Sequence, residues 1–461
     1  MATSSATADF QAMDDAKPSA THWKIMWISG MGFFTDAYDL FIIGVVMAIL
    51  KKQWHVSHLD ESLVESTALL ASAIGALLFG RVADMLGRKR IYGVEVLVLA
   101  AGAIACAFSP NIYWLIALRF ILGIGIGGDY PVSATIMSEY AGKSSRGMLV
   151  SLVFAMQAAG LIVGPLFASA LLATPLSQNI IWRILVGFGA VPALAVYWQR
   201  RGMKESPRYL KAAGKKEDGS DEKSGPGNKN TSGDEESPKA KSDFSSGFSS
   251  LFGDPKLRIR LIGASLAWFL MDFAYYGNTV SSPLVLGALG GNDSLIKKTL
   301  TQLGIFAVFA APGYAIAALT MDKLGRKFIQ NLGFFMMAAA FSAMAFVPGL
   351  EKKAVPFLII YGISFFFTEF GPNSTTFVYP SEIFPVEQRT TGHGIASAMG
   401  KLGGFVGVFL FPIFMHWKGL LAAESAAATV CVLGLIVTST MLPETKGKSL
   451  EELSEPSSKS A

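Results

Sequence analysis

Long apolar runs constrain the fold of this chain more than any other feature of its sequence. Twelve of them approach the ~20 residues that an α-helix needs to cross the hydrocarbon core of a bilayer. Because backbone polar groups in lipid must be satisfied within their own segment, this pattern predicts an all-α integral membrane protein with twelve transmembrane helices in two six-helix halves. The runs lie at roughly 24–50, 63–82, 91–108, 111–137, 147–172, 181–200, 258–287, 299–320, 327–348, 354–378, 391–415 and 420–442.

Composition agrees with this class and excludes several others. Hydrophobic residues make up 51% of the 461 residues and charged residues 16%, values typical of a polytopic membrane protein. The net charge is only +5, and the basic residues gather in loops rather than in one patch, which gives no support to nucleic-acid binding. Cys106 and Cys431 both lie in apolar runs, so a disulfide framework is not predicted.

Polar segments divide the chain and indicate its orientation. We expect an N-terminal segment 1–23, a first half 24–200, a largely disordered linker 201–257, a second half 258–442 and a tail 443–461. The loops after the second, fourth and eighth runs are the most basic. The positive-inside rule makes that side cytoplasmic, together with both termini and the linker. We therefore expect a plasma-membrane protein with cytoplasmic termini.

Three short motifs of the first half recur in the second half at offsets of 238, 243 and 239 residues, so they agree on one duplication. Two halves related by an axis along the membrane normal are the expected geometry, with a substrate site at mid-depth between them. The pairs are ADMLGRK at 83–89 with MDKLGRK at 321–327, SE at 138–139 and Arg146 with SE at 381–382 and Arg389, and ESPR at 205–208 with PETK at 443–446.

The first of these motifs, Gly80-x-x-x-Asp84-x-x-Gly87-Arg88-Lys89-Arg90, resembles the loop signature of the major facilitator superfamily. An aspartate there can cap or pair with a neighbouring helix end, while arginines bind carboxylates, and such contacts latch one side of a transporter shut. We interpret the charged residues of the repeated motifs as this conformational machinery: Asp84, Arg88, Glu139, Arg146, Asp322, Arg326, Glu382 and Arg389.

An aspartate lies deep in the fourth run, within Gly127-Gly128-Asp129-Tyr130-Pro131. A carboxylate at that depth costs ~2.5–3.5 kcal/mol on insertion scales, which favours a protonatable group lining a polar path over a purely structural partner of Arg119. The stretch 127–139 closely resembles the signature of proton-coupled inorganic phosphate symporters of fungi and plants, with Val132 where leucine is usual. The stretch 34–41 is similar to that family as well.

The resemblance implies a phosphate:H⁺ symporter that works by alternating access. It also implies phosphate contacts at Tyr130, Gln157, Trp268, Asp272, Tyr276 and Asn373. Gln157 and Asn373 lie in otherwise apolar runs, where polar side chains also hold helices together.

Trp268, Asp272 and Tyr276 are spaced i, i+4 and i+8, on one face of one helix. An aromatic packing stripe would explain the two aromatic residues but not the aspartate between them. A protonated Asp272 can donate a hydrogen bond to phosphate whereas an ionised one would repel it, so proton and anion binding would favour one another. Lys401, about ten residues into the eleventh run, is the expected counter-charge for the anion or for Asp272.

Proton transfer requires carboxylates that exchange with water on each side. Asp36 and Asp39 lie on one face of the first run, and Asp129 could join them; we rank Asp129 first, then Asp36, then Asp39. Arg119 lies ten residues before Asp129, almost three turns, so we expect it to meet a carboxylate on another helix. Glu95 in the third run is a further candidate partner.

Two other functions stay open. A proton-coupled porter for a sugar or an organic anion would share the ESPR and PETK motifs, although Asp129, Tyr130, Asp272 and Lys401 together favour phosphate. A phosphate sensor would need larger signalling extensions than the linker supplies. The five histidines show no metal-ligand spacing and no nucleophile–base motif stands out, so we predict no enzyme, no metal site and no cofactor. The expected partners are inorganic phosphate, protons and the lipid bilayer.

Overall fold

The computed structural model describes residues 11, 13–212, 246–287 and 294–454. Within these ranges the chain forms no strand and contains twelve long helices. The first six are α1 Ala20–Trp54, α2 His58–Leu86, α3 Arg88–Ala107, α4 Ile112–Tyr140, α5 Arg146–Leu172 and α6 Gln178–Arg201. The second six are α7 Pro255–Val280, α8 Leu295–Leu324, α9 Arg326–Phe346, α10 Ala354–Ile383, α11 Arg389–Lys418 and α12 Leu420–Met441.

In the described part of the chain, eleven of these helices are long and apolar enough to cross a membrane. The twelfth, α7, carries Arg258, Arg260, Asp272, Asn278 and two tyrosines among its apolar residues. The predicted all-α membrane fold is therefore confirmed. The run at 258–287 differs from its prediction: α7 ends at Val280, and a separate short helix, Ser282–Gly287, follows.

Four of these helices are interrupted along their length. α3 breaks at Gly93, whose φ of 120° lies in the left-handed region. α6 breaks at Phe188 and Gly189. α8 and α10 each contain a π-helical turn, at Phe306–Ala310 and Glu369–Asn373. Such turns rotate the following residues relative to a regular helix and are frequent at functional sites.

The two halves meet through equivalent helices. α2 of the first half packs along α11 of the second, and α5 packs along α8. Within the halves, α2 lies on α4 and α7 lies on α11. The pairing follows the duplication, because α2 corresponds to α8 and α5 to α11.

Glycines allow the closest of these helix contacts. A Cβ on Gly127 of α4 would lie 1.9 Å from the carbonyl oxygen of Ser72 on α2. A Cβ on Gly403 of α11 would lie 2.1 Å from the carbonyl oxygen of Phe269 on α7. Small residues let transmembrane backbones approach in this way. They place Asp129 and Lys401, each two residues from such a glycine, at helix–helix interfaces.

Both described terminal segments lie at one end of the bundle, which we call the terminal face. Asp14 is buried there and pairs with Arg146 and Arg208, and the short helix Leu450–Ser454 places Glu451 against Arg208. The ends of the predicted linker are helical at Pro207–Ala212 and Ser246–Gly253. The linker 201–257 was expected to be largely disordered, and these two helical ends are the part of it where the structure differs from that expectation. Residues 213–245 lie outside the described part.

Candidate substrate and proton sites

A buried lysine lies at the centre of the candidate substrate site. Lys401 Nζ donates a hydrogen bond to Tyr276 Oη at 2.8 Å and lies 3.4 Å from Asp272 Oδ2. It also lies 4.1 Å from the centroid of the Tyr130 ring, within the range of a cation–π contact. Lys401 and Asp272 are each only 1% exposed. The cation is therefore held by a carboxylate, a hydroxyl and an aromatic face rather than by water.

A chain of hydrogen bonds extends from Tyr130 across both halves. Gln157 Nε2 donates to Tyr130 Oη at 3.0 Å, and Tyr314 Oη donates to Gln157 Oε1 at 3.1 Å. Asn373 Nδ2 donates to Tyr314 Oη at 2.8 Å and also to Glu369 Oε2. The chain thus joins α4 and α5 of the first half to α8 and α10 of the second.

The indole of Trp268 closes this site on the side of α7. Its ring lies 6.1 Å from that of Tyr130 and 5.5 Å from that of His393, centroid to centroid. The six residues expected to contact phosphate and the expected counter-charge Lys401 are all buried and come together. With the two additional residues Tyr314 and Glu369 they form what we call the central cluster: Tyr130, Gln157, Trp268, Asp272, Tyr276, Tyr314, Glu369, Asn373 and Lys401.

The make-up of the central cluster determines what it can bind. It contains one cation, Lys401, and the carboxyl groups of Asp272 and Glu369. The remaining members supply N–H and O–H donors from phenol, indole and amide groups. An oxyanion fits the lysine and these donors, provided that the carboxyl groups are neutral or turned away. The cluster is therefore suited to binding an anion together with protons.

The second group of predicted residues surrounds an arginine that the sequence did not single out. Arg200 of α6 binds both oxygens of Asp129, at 2.8 and 2.9 Å, and lies 3.1 Å from Glu95 Oε1. Its guanidinium also lies over the Tyr92 ring, 4.4 Å from the centroid. Arg200 is fully buried whereas its neighbour Arg201 is exposed. In sequence, two adjacent arginines at the end of a span look like ordinary flanking charges.

The helix α1 contributes the other two aspartates. Neither oxygen of Asp36 has a hydrogen-bond partner within the described ranges, and the side chain is fully buried. Of the charged groups around it, Asp129 and Arg200 have the largest electrostatic effect on its carboxyl group. A Cβ on Gly32 would lie 1.7 Å from Asp129 Oδ2, so α1 touches the Asp129 carboxylate directly. Asp36, Asp129, Glu95 and Arg200 therefore form one proton-binding candidate, the Asp129 cluster.

Arg119 lies away from that cluster, and its hydrogen bonds go to backbone groups of two other helices. It donates to the carbonyl oxygens of Val64 at 2.8 Å and of Asp39 at 3.4 Å, rather than to a carboxylate. Arg119 therefore binds backbone carbonyl groups of α1 and α2. The carboxyl group of Asp39 instead approaches the break in α6, where a Cβ on Gly189 would lie 2.0 Å from Asp39 Oδ1. The neighbours of Arg119 depend on how α1 and α2 pack against α4, which its own helix does not reveal.

The repeated motifs meet at the terminal face. In the first copy, Arg88 lies 3.1 Å from both Asp84 and Glu139, and Glu139 also binds Arg389 at 3.2 Å. Asp84 Oδ2 accepts a hydrogen bond from the backbone N–H of Thr391 at 2.6 Å. This aspartate therefore caps the first turn of α11, in the opposite half.

The second copy repeats the arrangement. Arg326 lies 2.9 Å from Asp322 and 2.7 Å from Glu382. Asp322 accepts hydrogen bonds from the backbone N–H groups of Gly147 at 3.0 Å and Met148 at 2.8 Å, at the start of α5. We call the contacts of both copies the terminal latch.

The two copies differ at one arginine. Arg146 corresponds to Arg389, yet it pairs with Asp14 at 3.1 Å and with the carbonyl oxygen of Lys448 at 3.2 Å. Its counterpart carboxylate, Glu382, is occupied by Arg326 and by the hydroxyl of Thr445. Segments from both termini therefore complete the latch on this side.

Comparison with known families agrees with this architecture. Residues 25–456 match the family model described as "Sugar (and other) transporter". Inorganic phosphate transporter 1-4 of Arabidopsis thaliana is 36% identical, with 96% of this chain and 95% of that protein covered. Inorganic phosphate transporter 1-6 of Oryza sativa subsp. japonica is also 36% identical, with 96% and 94% covered. Low affinity inorganic phosphate transporter 3 of Petunia hybrida is 35% identical, with 96% and 94% covered.

Solved structures show the same fold. The proton:xylose symporter XylE of the major facilitator superfamily, bound to 6-bromo-6-deoxy-D-glucose, superposes with a TM-score of 0.75 at 18% identity, covering 94% of this chain and 98% of that one. A partially occluded inward-open conformation of XylE from E. coli gives 0.71 at 18% identity, with 93% and 100% covered. The protein has the fold of the major facilitator transporter XylE, and it is a transporter and not an enzyme: it belongs to the Sugar (and other) transporter family, in which its relatives include inorganic phosphate transporters.

Proposed function

We propose that this protein imports inorganic phosphate together with protons by alternating access of its two halves. The observation that best supports an anionic substrate is the position of Lys401. This buried cation lies at the junction of the halves and is surrounded by hydroxyl, amide and indole donors. A tetrahedral oxyanion offers several acceptor oxygens for such donors. Relatives about 35% identical over 96% of the chain are named inorganic phosphate transporters, which supports phosphate as that oxyanion.

Within this proposal, Asp272 couples the anion to a proton. In the ionised state Asp272 pairs with Lys401, so the carboxylate and a bound phosphate would compete for one cation. Protonation of Asp272 frees the lysine and gives the carboxyl group a hydrogen to donate. Tyr130, Gln157, Trp268, Tyr276 and Asn373 would supply the remaining contacts.

The Asp129 cluster is the second proton site that we propose. Protonation of Asp129 removes its charge from Arg200, which would leave a buried cation unpaired if it had no other partner. Glu95 lies 3.1 Å from the same guanidinium and provides that partner. Protonation of Asp129 therefore leaves Arg200 with a carboxylate partner, which lowers the free-energy cost of breaking the Asp129–Arg200 pair. Asp36 and then Asp39 would be further proton carriers along α1. Arg119 would anchor α1 to α2 through backbone carbonyls.

We further propose that the terminal face is cytoplasmic and that the protein lies in the plasma membrane. The basic residues at the junctions of α2 with α3, α4 with α5 and α8 with α9 lie at this face, as the positive-inside rule requires of the cytoplasmic side. The terminal latch would then hold the cytoplasmic side closed. Phosphate would leave when the latch contacts of Asp84 and Asp322 break and the halves rock apart.

A second candidate is a proton-coupled porter for a sugar or an organic anion. The description of the family model and the fold of XylE favour it as an alternative. A sugar carries no charge, however, and would leave Lys401 and Asp272 as a buried ion pair that no substrate group uses.

Radiolabelled phosphate uptake into liposomes containing the purified protein tests the proposal. We expect uptake to depend on an imposed inward proton gradient and to be competed by unlabelled phosphate but not by sugars or carboxylates. Uptake that ignores the gradient would leave phosphate as the substrate and remove the proton roles of Asp129 and Asp36. A folded protein that takes up no phosphate, but does take up a sugar or carboxylate, would establish the second candidate.

A further inference from the structure

Glu369 is a second carboxyl group of the central cluster to which the proposed mechanism gives no role. It begins the π-helical turn Glu369–Asn373 of α10 and is fully buried. Its Oε2 accepts a hydrogen bond from Nδ2 of Asn373, four residues later. A buried ionisable group at mid-membrane is costly and is a functional candidate by default.

The chain of hydrogen bonds connects Glu369 with the proposed anion site. It passes from Glu369 through Asn373, Tyr314 and Gln157 to Tyr130. The ring of Tyr130 in turn lies 4.1 Å from Lys401 Nζ. A change of charge on Glu369 would therefore be felt by the donors that are proposed to hold phosphate.

The charges around Glu369 determine whether its carboxyl group is ionised or protonated. Tyr275 and Asp272 face it from α7, Tyr314 faces it from α8, and Asn373 lies on its own helix. On α9, which packs against the same turn, Arg326 is engaged with Glu382 at the terminal face. Within the described part of the chain, Glu369 forms no ion pair with a lysine or an arginine, unlike Asp272, which pairs with Lys401.

A bound phosphate increases the excess of negative charge in the central cluster. Ionised Asp272, ionised Glu369 and phosphate would place three anions around one lysine in a low-dielectric site, where like charges repel strongly. Protonation of Asp272 alone would still leave an unpaired carboxylate beside the anion. Charge balance with the single cation requires that both carboxyl groups be neutral.

We propose that Glu369 is a second proton-binding site of the central cluster, occupied whenever the anion is bound. This inference rests on the proposed phosphate function. With Oε2 accepting from Asn373, the proton resides on Oε1 as a carboxylic O–H. When the halves open and water enters, the carboxyl group ionises and releases its proton alongside phosphate. One proton per cycle is thereby added to the coupling.

The alternative to a proton-binding role is that Glu369 only positions Asn373, because it accepts a hydrogen bond from the Asn373 amide. Glutamine separates the two roles: E369Q keeps the side-chain length and an acceptor oxygen for Asn373 but cannot titrate. Each proton linked to binding changes Kd by about tenfold per pH unit. The slope of log Kd against pH therefore counts linked protons, and the titration of phosphate itself cancels between wild type and variant.

The experiment measures Kd for inorganic phosphate by titration calorimetry on the purified protein, from acidic to neutral pH. We expect E369Q to bind phosphate with a slope lower than that of wild type by up to one proton. E424Q is the matched control, because Glu424 is also fully buried in the second half, on α12. It should keep the wild-type slope. E369D retains a titratable group, should keep that slope, and remains informative if E369Q does not fold.

Several outcomes would overturn the inference. A wild-type slope in E369Q would reduce Glu369 to positioning Asn373. An equal loss of slope in E424Q, or a loss in E369D, would show that the effect does not come from the proton on Glu369. Wild-type protein that binds no phosphate would overturn the proposed function itself. Only that result would overturn both the proposed function and the inference about Glu369.

Discussion

Arg200 binds both carboxylate oxygens of Asp129, with Nη1–Oδ1 and Nη2–Oδ2 separations of 2.8 and 2.9 Å. Ser133 Oγ also donates to Asp129 Oδ1. Breaking a buried ion pair by removing one partner typically costs ~3–5 kcal/mol. Here Glu95 shares the guanidinium, so the arginine is never left without a carboxylate. Two carboxylates thus share one cation, as a protonation switch requires.

We predict that D129N abolishes proton-driven uptake while phosphate binding is largely retained, because asparagine mimics the neutral acid and cannot release a proton. Uptake driven by an imposed gradient and phosphate Kd are measured on the same purified sample. Phosphate exchange at equal pH on both sides serves as the control for folding, since it needs no net proton movement. Equal loss of uptake and binding would contradict the assigned role of Asp129.

The charge of Lys401 should dominate phosphate affinity. We predict that K401Q weakens phosphate binding by about 10- to 100-fold, since a hydrogen bond to a charged group contributes ~1.5–3 kcal/mol. K401R is the matched control and should retain part of the affinity because it keeps the charge. The double variant K401Q/D272N tests whether an unpaired Asp272 adds to the loss. An unchanged Kd in K401Q would remove the lysine from the site.

The two aspartate caps of the terminal latch should set the balance between closed and open states. Each cap contributes ~1 kcal/mol, so D84A/D322A should favour opening of the terminal face by about 30-fold in population ratio. Electron-spin distances between labels at the exposed positions Lys89, at the start of α3, and Glu387, after α10, report this shift. The control is D60A, which removes a contact with Ser57 at the opposite end of α2. Unchanged distances in D84A/D322A would mean that the caps do not hold the halves.

Close packing at Gly127 should be intolerant of a side chain. We predict that G127A destabilises the protein by ~1–3 kcal/mol, because the new methyl group would lie 1.9 Å from the Ser72 carbonyl oxygen and force α4 from α2. G44A is the matched control, since a Cβ there meets nothing within 4 Å and alanine is the better helix former. Thermal unfolding in detergent compares the two. A Tm for G127A as high as that of G44A would contradict the packing argument.

Apart from the end of α7, the sequence predicts the membrane helices to within about five residues, because bilayer thickness fixes the length of an apolar run. It also predicts the latch residues, because duplicated motifs show which charges belong together. Arg200 escapes this reasoning: its burial, in contrast to the exposure of Arg201, depends on the rotation of α6 about its axis. Tyr314 and Glu369 escape it as well, since single polar residues in apolar runs give no sign of which helix they face.

The aspartate caps of the terminal latch have an evolutionary consequence. Met148 and Thr391, whose N–H groups bind Asp322 and Asp84, are separated by 243 residues, the offset of the repeated Glu–Arg motif. Each half therefore uses the same two surfaces: the aspartate of one half binds the helix start of the other, and the reverse contact is made by the equivalent residues. In separate chains such reciprocity would define an isologous interface, the kind that closes a two-fold homodimer. An ancestral six-helix subunit could thus have assembled with its own copy through this surface, and gene fusion would have preserved the pairing while freeing each copy to diverge.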